Sequence, residues 1–305
     1  MDLGTTKVSA TQVSNVELPR IALVTPAFNS VRYIEATIQS VLAQNYPNLD
    51  YFIVDGGSTD GTIDVIKKYE HLISGWMSEP DRNPYEAINK GFKRTSGEIM
   101  GWINSTDMLQ VGGLAVVGSV FATLGSVDWI TGSPTYFTED GMAVVVKCLP
   151  RWSRARFLAG ANRFIQQEST YWRRDLWDRT GAQLETKYRA EGDFDLWIRF
   201  FRHAQLHTVD ALIGGYRCHP NSLSQADLLS YTNTCDEIAD RELTSSSGLT
   251  LAKVFRQTTK LMRRIPKVRV LWERCAVDPL YSLAGPDSPS VIHRPGEIWE
   301  FRKKK

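Results

Sequence analysis

Before residue 125 the chain three times runs from an apolar strand through a polar loop into a helix-patterned segment. That alternation restricts it to a parallel α/β sheet with helices on its faces. Ile21 to Thr25 is an apolar run ended by Pro26. Ile34, Ile38, Val41 and Leu42 then recur at helical spacing, with Ser30 as the expected N-cap. Tyr51 to Val54 is a second strand, followed by the turn-rich Asp55-Gly56-Gly57-Ser58-Thr59-Asp60-Gly61. Ile63, Ile66 and Ile73 lead through a helix into a third apolar segment. A helix is expected over Tyr85 to Arg94, a strand over Ile99 to Ile103 and a helix over Leu114 to Phe121. Past residue 127 the pattern changes. Trp129 to Phe137 and Met142 to Cys148 read as strands joined by a Glu139-Asp140-Gly141 hairpin. Beyond residue 225 the chain reads as helical and then loose. The expected division is therefore a polar lead-in over 1–18, an α/β body over 19–225 and a basic, helical extension over 226–305.

Composition narrows the class. Of 305 residues, 42% are hydrophobic and 23% charged, which is a globular balance and not a disordered one. The cysteines at 148, 218, 235 and 275 form no CxxC pair, which argues against a zinc knuckle or a disulfide scaffold. A reduced, cytoplasmic setting is expected. The first 20 residues lack the apolar segment of a signal peptide, and no run of 18 apolar residues could cross a membrane. Charge is unevenly placed. Residues 250–305 hold 13 Lys+Arg against 5 Asp+Glu, a balance of +8, and the rest of the chain balances at −6. A mildly acidic body with a basic tail argues against nucleic-acid binding, since no recognition motif accompanies the tail.

In an open α/β sheet, ligands bind beyond the carboxyl ends of the strands. Three expected strands end in polar loops: Thr25-Pro26-Ala27-Phe28-Asn29, Asp55-Gly56-Gly57-Ser58, and Asn104-Ser105-Thr106-Asp107. They should converge on one crevice. The first is not a dinucleotide fingerprint, because G-x-G-x-x-G is missing after strand one. No G-K-[ST] follows the second, so it is not a P-loop. Taken alone, each loop is also an ordinary turn or helix cap.

Together, and in this order, these loops resemble the motifs of family-2 inverting glycosyltransferases of the GT-A fold. Ser78-Glu79-Pro80-Asp81 through Tyr85-Glu86-Ala87-Ile88-Asn89-Lys90-Gly91 resembles an O-antigen and exopolysaccharide subgroup. Gln167-Glu168-Ser169-Thr170, Gly192-Asp193-Phe194-Asp195-Leu196-Trp197 and Tyr216-Arg217-Cys218-His219 with Ser222 and Ser224 follow in the matching order. The resemblance covers 19–225. It implies a nucleotide-diphospho-sugar donor, a UDP-sugar first, and a glycan or lipid-linked glycan acceptor.

The resemblance also implies roles. Asp193 matches the base that takes the acceptor's proton, with Asp195 as its rival. Asp107, helped by His219, matches the site of Mn²⁺ or Mg²⁺, a hard cation suited to carboxylate and diphosphate oxygen. Thr106 stands where the family more often carries a second carboxylate, and Gly56 replaces a common second Asp beside Asp55. Thr25, Ala27, Asn29, Asp55, Asp81, Asn83, Asn89, Lys90, Ser105, Thr106 and Arg217 would face the donor. Gln167, Glu168 and Trp197 would face the acceptor, although core packing is the commoner use of Trp172 and Trp197.

In the tail, Leu251, Val254, Phe255, Thr258, Met262 and Ile265 fall at helical spacing among basic residues. Such a helix either lies on a membrane surface, here the cytoplasmic face, or packs on the body with a solvated basic face. Two other classes stay open: a non-catalytic nucleotide-sugar or glycan-binding module, and a membrane-docked scaffold. A nucleotidyltransferase is disfavoured because the loop after strand one has no Gly, Lys or Arg.

Overall fold

The computed structural model describes residues 17–147, 152–160, 164–220, 227–246, 249–263, 289–293 and 299–302. Ser222, Ser224, Ile265, Cys148 and Cys275 lie outside them. In chain order the elements begin with β1 (Ile21–Ala27), α1 (Ile34–Leu42), β2 (Leu49–Asp55), α2 (Thr62–Lys68), β3 (Gly75–Ser78), α3 (Pro84–Arg94) and β4 (Ile99–Trp102). Next come β5 (Met108–Leu109), α4 (Gly113–Thr123), β6 (Trp129–Thr131), β7 (Thr135–Phe137), β8 (Ala143–Val146) and α5 (Arg154–Ala159). A 3₁₀ turn (Gln167–Ser169) leads into β9 (Thr170–Arg173) and α6 (Arg174–Arg179), followed by α7 (Gly192–His203), β10 (Leu206–Val209) and β11 (Gly214–Arg217). The chain continues through α8 (Leu228–Ser245), α9 (Thr250–Arg263), β12 (Ser290–His293) and β13 (Trp299–Phe301).

Nine strands form the central sheet in the order β13-β12-β10-β6-β9-β4-β1-β2-β3. β3, β2, β1 and β4 run parallel, as the alternation requires. β9 runs antiparallel between β4 and β6, so the sheet is mixed. β1 is buried along its whole length because both faces are covered. Its alternate residues enter different cores. Ala22 and Val24 join α3, α5, α7 and α8 on one face, and Ile21 and Leu23 join α1, α2 and α4 on the other.

Several local expectations are corrected. Ser30 does not cap α1 with its side chain: its backbone N–H donates to Thr62 Oγ1 at 2.8 Å and its carbonyl accepts from Tyr33 and Ile34. The expected strand from Trp129 to Phe137 breaks at Gly132-Ser133-Pro134. Its first part stays in the central sheet, and its second enters a smaller sheet ordered β5-β11-β7-β8. The β7–β8 hairpin forms as expected, with Gly141 at φ 86 in its turn. The extension is helical over α8 and α9, but β12 and β13 add two strands to the edge of the central sheet. Trp197 is buried in the core, stacked on Trp102 and Trp129 with centroids 5.9 and 5.6 Å away, and Trp172 joins the cluster. Neither ring can offer its face to an acceptor sugar.

Candidate active site

The carboxyl ends of β1 and β2 are tied together first. Ala27 carbonyl accepts from Gly56 N–H at 2.8 Å, Asn29 N–H donates to Ser58 Oγ at 2.8 Å, and Thr59 N–H donates to Asn29 Oδ1 at 3.0 Å. Asn29 takes a left-handed φ of 44 to make the turn. Asp55 is wholly buried and holds this loop together. Its carboxylate accepts from Gly57 and Ser58 N–H and from the Ser58 and Ser78 hydroxyls. Thr25 is likewise inaccessible, with its hydroxyl 3.0 Å from that of Tyr51. These two side chains therefore build the crevice wall and do not face a ligand. What they present is Phe28, 62% exposed beside Gly56.

On the β3–α3 side, Asp81 pairs with Lys90, which also reaches Glu79 at 2.7 Å. Asp81 Oδ2 is buried without a hydrogen-bond partner and lies near Gly56. Burial raises its carboxyl above the usual range against the pull of Lys90. Asn83 and Asn89 depart from expectation. Asn83 caps α3 by accepting from Glu86 N–H at 3.1 Å, and its amide donates to Thr186 carbonyl at 2.6 Å. Asn89 bonds both backbone groups of Leu184 at 2.8 Å. Both fasten the segment before α7, which leaves neither amide free for a donor.

Beyond β4, Ser105 is buried and its carbonyl accepts from Thr37 Oγ1 at 3.0 Å, while Thr106 is half-buried. Asp107 is fully buried. Its Oδ1 accepts from Arg217 N–H at 2.9 Å and its Oδ2 from Asn104 Nδ2 at 3.0 Å. Burial still pushes its carboxyl up to about 6. Arg217 is buried, with Nε and one Nη lacking partners and its guanidinium 5.4 Å from the Tyr33 ring centroid. Two residues on, on the same face of the chain, His219 lies 5.0 Å from that ring. Burial lowers its pKa, so the imidazole is neutral at pH 7, and its buried Nδ1 has no partner. Glu139, from the hairpin, closes this corner by accepting from Tyr33 hydroxyl at 2.6 Å and pairing with Arg32 at 2.8 Å. Sequence reading missed Tyr33 and Glu139 because their meeting spans 106 residues.

Asp193 is the second residue of α7. A helix N-terminus favours a charged carboxylate, but burial wins and pushes Asp193 up to about 7. Its rival Asp195 is tied to Arg199 at 2.9 Å. Gly192 is required here, because a Cβ would stand 2.7 Å from the Tyr85 ring. Glu168 is held in the 3₁₀ turn, whose carbonyl lies so close to Gly214 that a Cβ there would stand 2.1 Å away. Burial first, then the charges of Asp107 and Asp193, raise Glu168 well above its ordinary range. Gln167 is buried beside it. Glu168 thus feels the charges of both Asp107 and Asp193.

Among the described residues no group of three or more His, Cys, Asp or Glu side chains could hold a metal ion. Asp107 and His219 offer one carboxylate and one neutral imidazole. That set fits a cation that draws its remaining ligands from a substrate's phosphates and water, as Mg²⁺ commonly does.

Residues 22–112 match the family model for Glycosyl transferase family 2. Over a similar stretch the chain is 36% identical to the putative teichuronic acid biosynthesis glycosyltransferase TuaG of Bacillus subtilis, covering 29% of this chain and 36% of TuaG. It is 26% identical to the PGL/p-HBAD biosynthesis glycosyltransferase of Mycobacterium bovis, covering 82% of this chain and 92% of that one. The chain spans about a third of the length of the first curated relatives it matches. In structure it is similar to S. aureus TarS 1-349 in complex with UDP-GlcNAc, at TM-score 0.62 and 13% identity over 87% of this chain and 79% of TarS. It is also similar to the mannosyltransferase PcManGT of Pyrobaculum calidifontis in complex with GDP-Man and Mn²⁺, at TM-score 0.51 and 14% identity over 87% of this chain and 86% of that one. The fold is GT-A-like, with a mixed central sheet flanked by helices.

Proposed function

We propose that the glycosyl transferase family 2 domain over residues 22–112 belongs to an inverting glycosyltransferase. On this reading the chain moves a sugar from a nucleotide-diphospho-sugar, a UDP-sugar first, to a glycan or lipid-linked glycan. The similarity to TuaG supports a place in cell-surface polysaccharide synthesis, and the reading puts the reaction at the cytoplasmic face of the membrane. One observation carries the reading: Asp193 stands half-buried in the first turn of α7 with its carboxyl pushed up to about 7, and its charge reaches the buried Glu168. A general base works best with a pKa close to the working pH.

In the proposed reaction the acceptor oxygen forms a bond to the anomeric carbon. The bond from that carbon to the diphosphate oxygen breaks on the opposite face, and Asp193 takes the acceptor's proton. The two unpartnered N–H groups of Arg217 front the departing diphosphate. Asp107 and His219 are the groups that would hold Mn²⁺ or Mg²⁺, which when bound offsets the charge leaving with the nucleotide. Phe28, Asp81 and the loop pinned by Asp55 would face the nucleoside. Glu168 and Gln167 would face the acceptor.

The test is thermal unfolding against UDP, GDP and dTDP and their sugars, with and without Mn²⁺, followed by transfer assays with the ligand that shifts. A ligand at 100 times its dissociation constant adds about 2.7 kcal/mol. A metal-dependent shift with one nucleotide, together with turnover, is expected. Failure of every nucleotide to shift the midpoint overturns the reading.

A further inference from the structure

A buried guanidinium is ordinarily gripped by a carboxylate that occupies its N–H groups. Arg217 is buried, yet no carboxylate grips its side chain among the described residues. Asp107 accepts only its backbone N–H, at 2.9 Å. One Nη meets the Glu139 carbonyl at 3.4 Å, which is long for a hydrogen bond. Nε and the other Nη have no partner. Something other than a salt bridge must hold this fork in place.

The Tyr33 ring is the group beside it. Its centroid lies 5.4 Å from the Arg217 guanidinium, 5.4 Å from that of Arg32 and 5.0 Å from the His219 ring. A tyrosine face attracts a guanidinium without occupying its N–H groups. The ring is buried and held at both ends. At the backbone, Tyr33 N–H donates to the Ser30 carbonyl at 2.9 Å, in the loop between β1 and α1. At the tip, its hydroxyl donates to Glu139 Oε1 at 2.6 Å, and Arg32 Nη1 meets the same oxygen at 2.8 Å.

Glu139 is itself fixed. Thr138 N–H donates to the Met142 carbonyl at 2.8 Å and Gly141 N–H to the Thr138 carbonyl at 3.0 Å, which closes the turn between β7 and β8. β7 pairs with β11, where Phe137 stands opposite Arg217 and accepts from Cys218 N–H at 2.9 Å. The hairpin therefore registers Glu139 against the strand that carries Arg217. We propose that Tyr33, latched by Glu139, is a positioning residue that aims the free N–H groups of Arg217 at the leaving diphosphate. This rests on the transferase reading above. Held by a ring and not by an anion, the guanidinium keeps its donors open to phosphate oxygens.

Isothermal titration of UDP, UMP, GDP and GMP into the full chain with Mn²⁺ tests it. Wild type is expected to bind one diphosphate more tightly than its monophosphate. Tyr33→Leu removes the ring, and should weaken that diphosphate about fivefold while leaving the monophosphate within a factor of about two. Tyr33→Phe keeps the ring and Glu139→Ala keeps the carbonyl near Arg217, so each should lose only about twofold. In an Arg217→Ala background, Tyr33→Leu should add nothing further, because it acts through that guanidinium. A packing role would instead weaken the monophosphate equally and persist in that background. Tyr33→Phe and Glu139→Ala change a hydroxyl and a half-buried turn residue, so they read the latch even where Tyr33→Leu fails to fold. Diphosphate affinity unchanged in the variants, or a full loss from Tyr33→Leu in the Arg217→Ala background, overturns the proposal and leaves the transferase reading standing. A wild type that binds neither UDP nor GDP removes the transferase reading, and the proposal with it.

Discussion

At the scale of single residues, burial decides most of the chemistry. Asp193 sits where a helix end favours its ionised form, yet desolvation is the larger effect and carries it to about 7. Two consequences follow. Transfer should rise with pH along a single limb centred near 7. Asp193→Asn should lower turnover by about 10²–10⁴-fold while keeping nucleotide affinity within a factor of two or so. Loss of nucleotide binding in that variant would remove Asp193 from the base's role. The stability effect runs the other way. A carboxyl whose folded pKa is raised binds its proton more tightly in the native state, so its stabilisation is present at acid pH and lost as pH rises through about 7. Asp193→Asn should therefore raise the unfolding temperature at pH 8 and change it little at pH 3. For Arg217, replacement by Ala should weaken UDP binding by about tenfold or more, and Lys should restore it only in part because it lacks the planar fork. That Asp107 follows a strand end and Asp193 opens a helix was legible from the local pattern, and the structure has them there. The same pattern did not foresee that Asp55 and Thr25 turn inward or that Asn89 clasps Leu184. Those outcomes depend on hydrogen bonds to partners 23 to 95 residues away.

At the scale of elements, the legible parts were those with a local period. Strands β1, β2 and β4 and helices α1, α3 and α4 follow from apolar spacing. The break between β6 and β7 does not, because both halves are apolar and only their sheets differ. The same holds for α9. Its apolar residues read as a stripe either packed on the body or lying on a membrane; Leu251, Val254 and Leu261 are exposed, while Ala252, Arg256 and Thr259 face inward. Arg256 donates to Leu158 carbonyl at 2.9 Å and to Asp236 at 2.9 Å, so part of the basic face is used to hold α9 on α8. A similar clamp joins α5, α7 and α8. Glu242 is buried and accepts from Arg154 at 2.6 Å and from Arg202 at 3.0 Å. Burial alone would raise its carboxyl, but the two arginines outweigh it and hold it below the usual range. Its stabilisation is therefore present at neutral pH and lost as pH falls below the ordinary carboxylate range. Glu242→Ala should cost about 2 kcal/mol at pH 7, less than a fully buried pair because both arginines keep contact with water. Denaturant titration at pH 7 and pH 3 checks this, and an equal cost at both values would mean that packing, not charge, is what Glu242 supplies.

At the scale of the whole molecule, the open question is whether the chain before residue 226 can stand without the rest. Composition and motifs both end near that point, which is why the boundary read so clearly from sequence. The packing does not respect it. Tyr231, Cys235, Ile238, Ala239 and Leu243 of α8 are buried in the same core as Phe157, Phe194 and Trp197. Val291 of β12 and Trp299 of β13 complete the other core, and Trp299 Nε1 meets Ser119 Oγ at 2.5 Å. Each large apolar side chain so buried contributes about 1.5–3 kcal/mol, and a domain's whole stability is about 5–15 kcal/mol. Removing α8 therefore takes away an amount comparable to the total, and it also uncovers the face of α7 whose first turn carries Asp193. A chain ending at residue 226 should show no cooperative unfolding transition and should bind a hydrophobic dye, whereas one ending at residue 288 should fold with a lowered midpoint. A cooperative, nucleotide-binding chain ending at 226 would show that the catalytic body is independent.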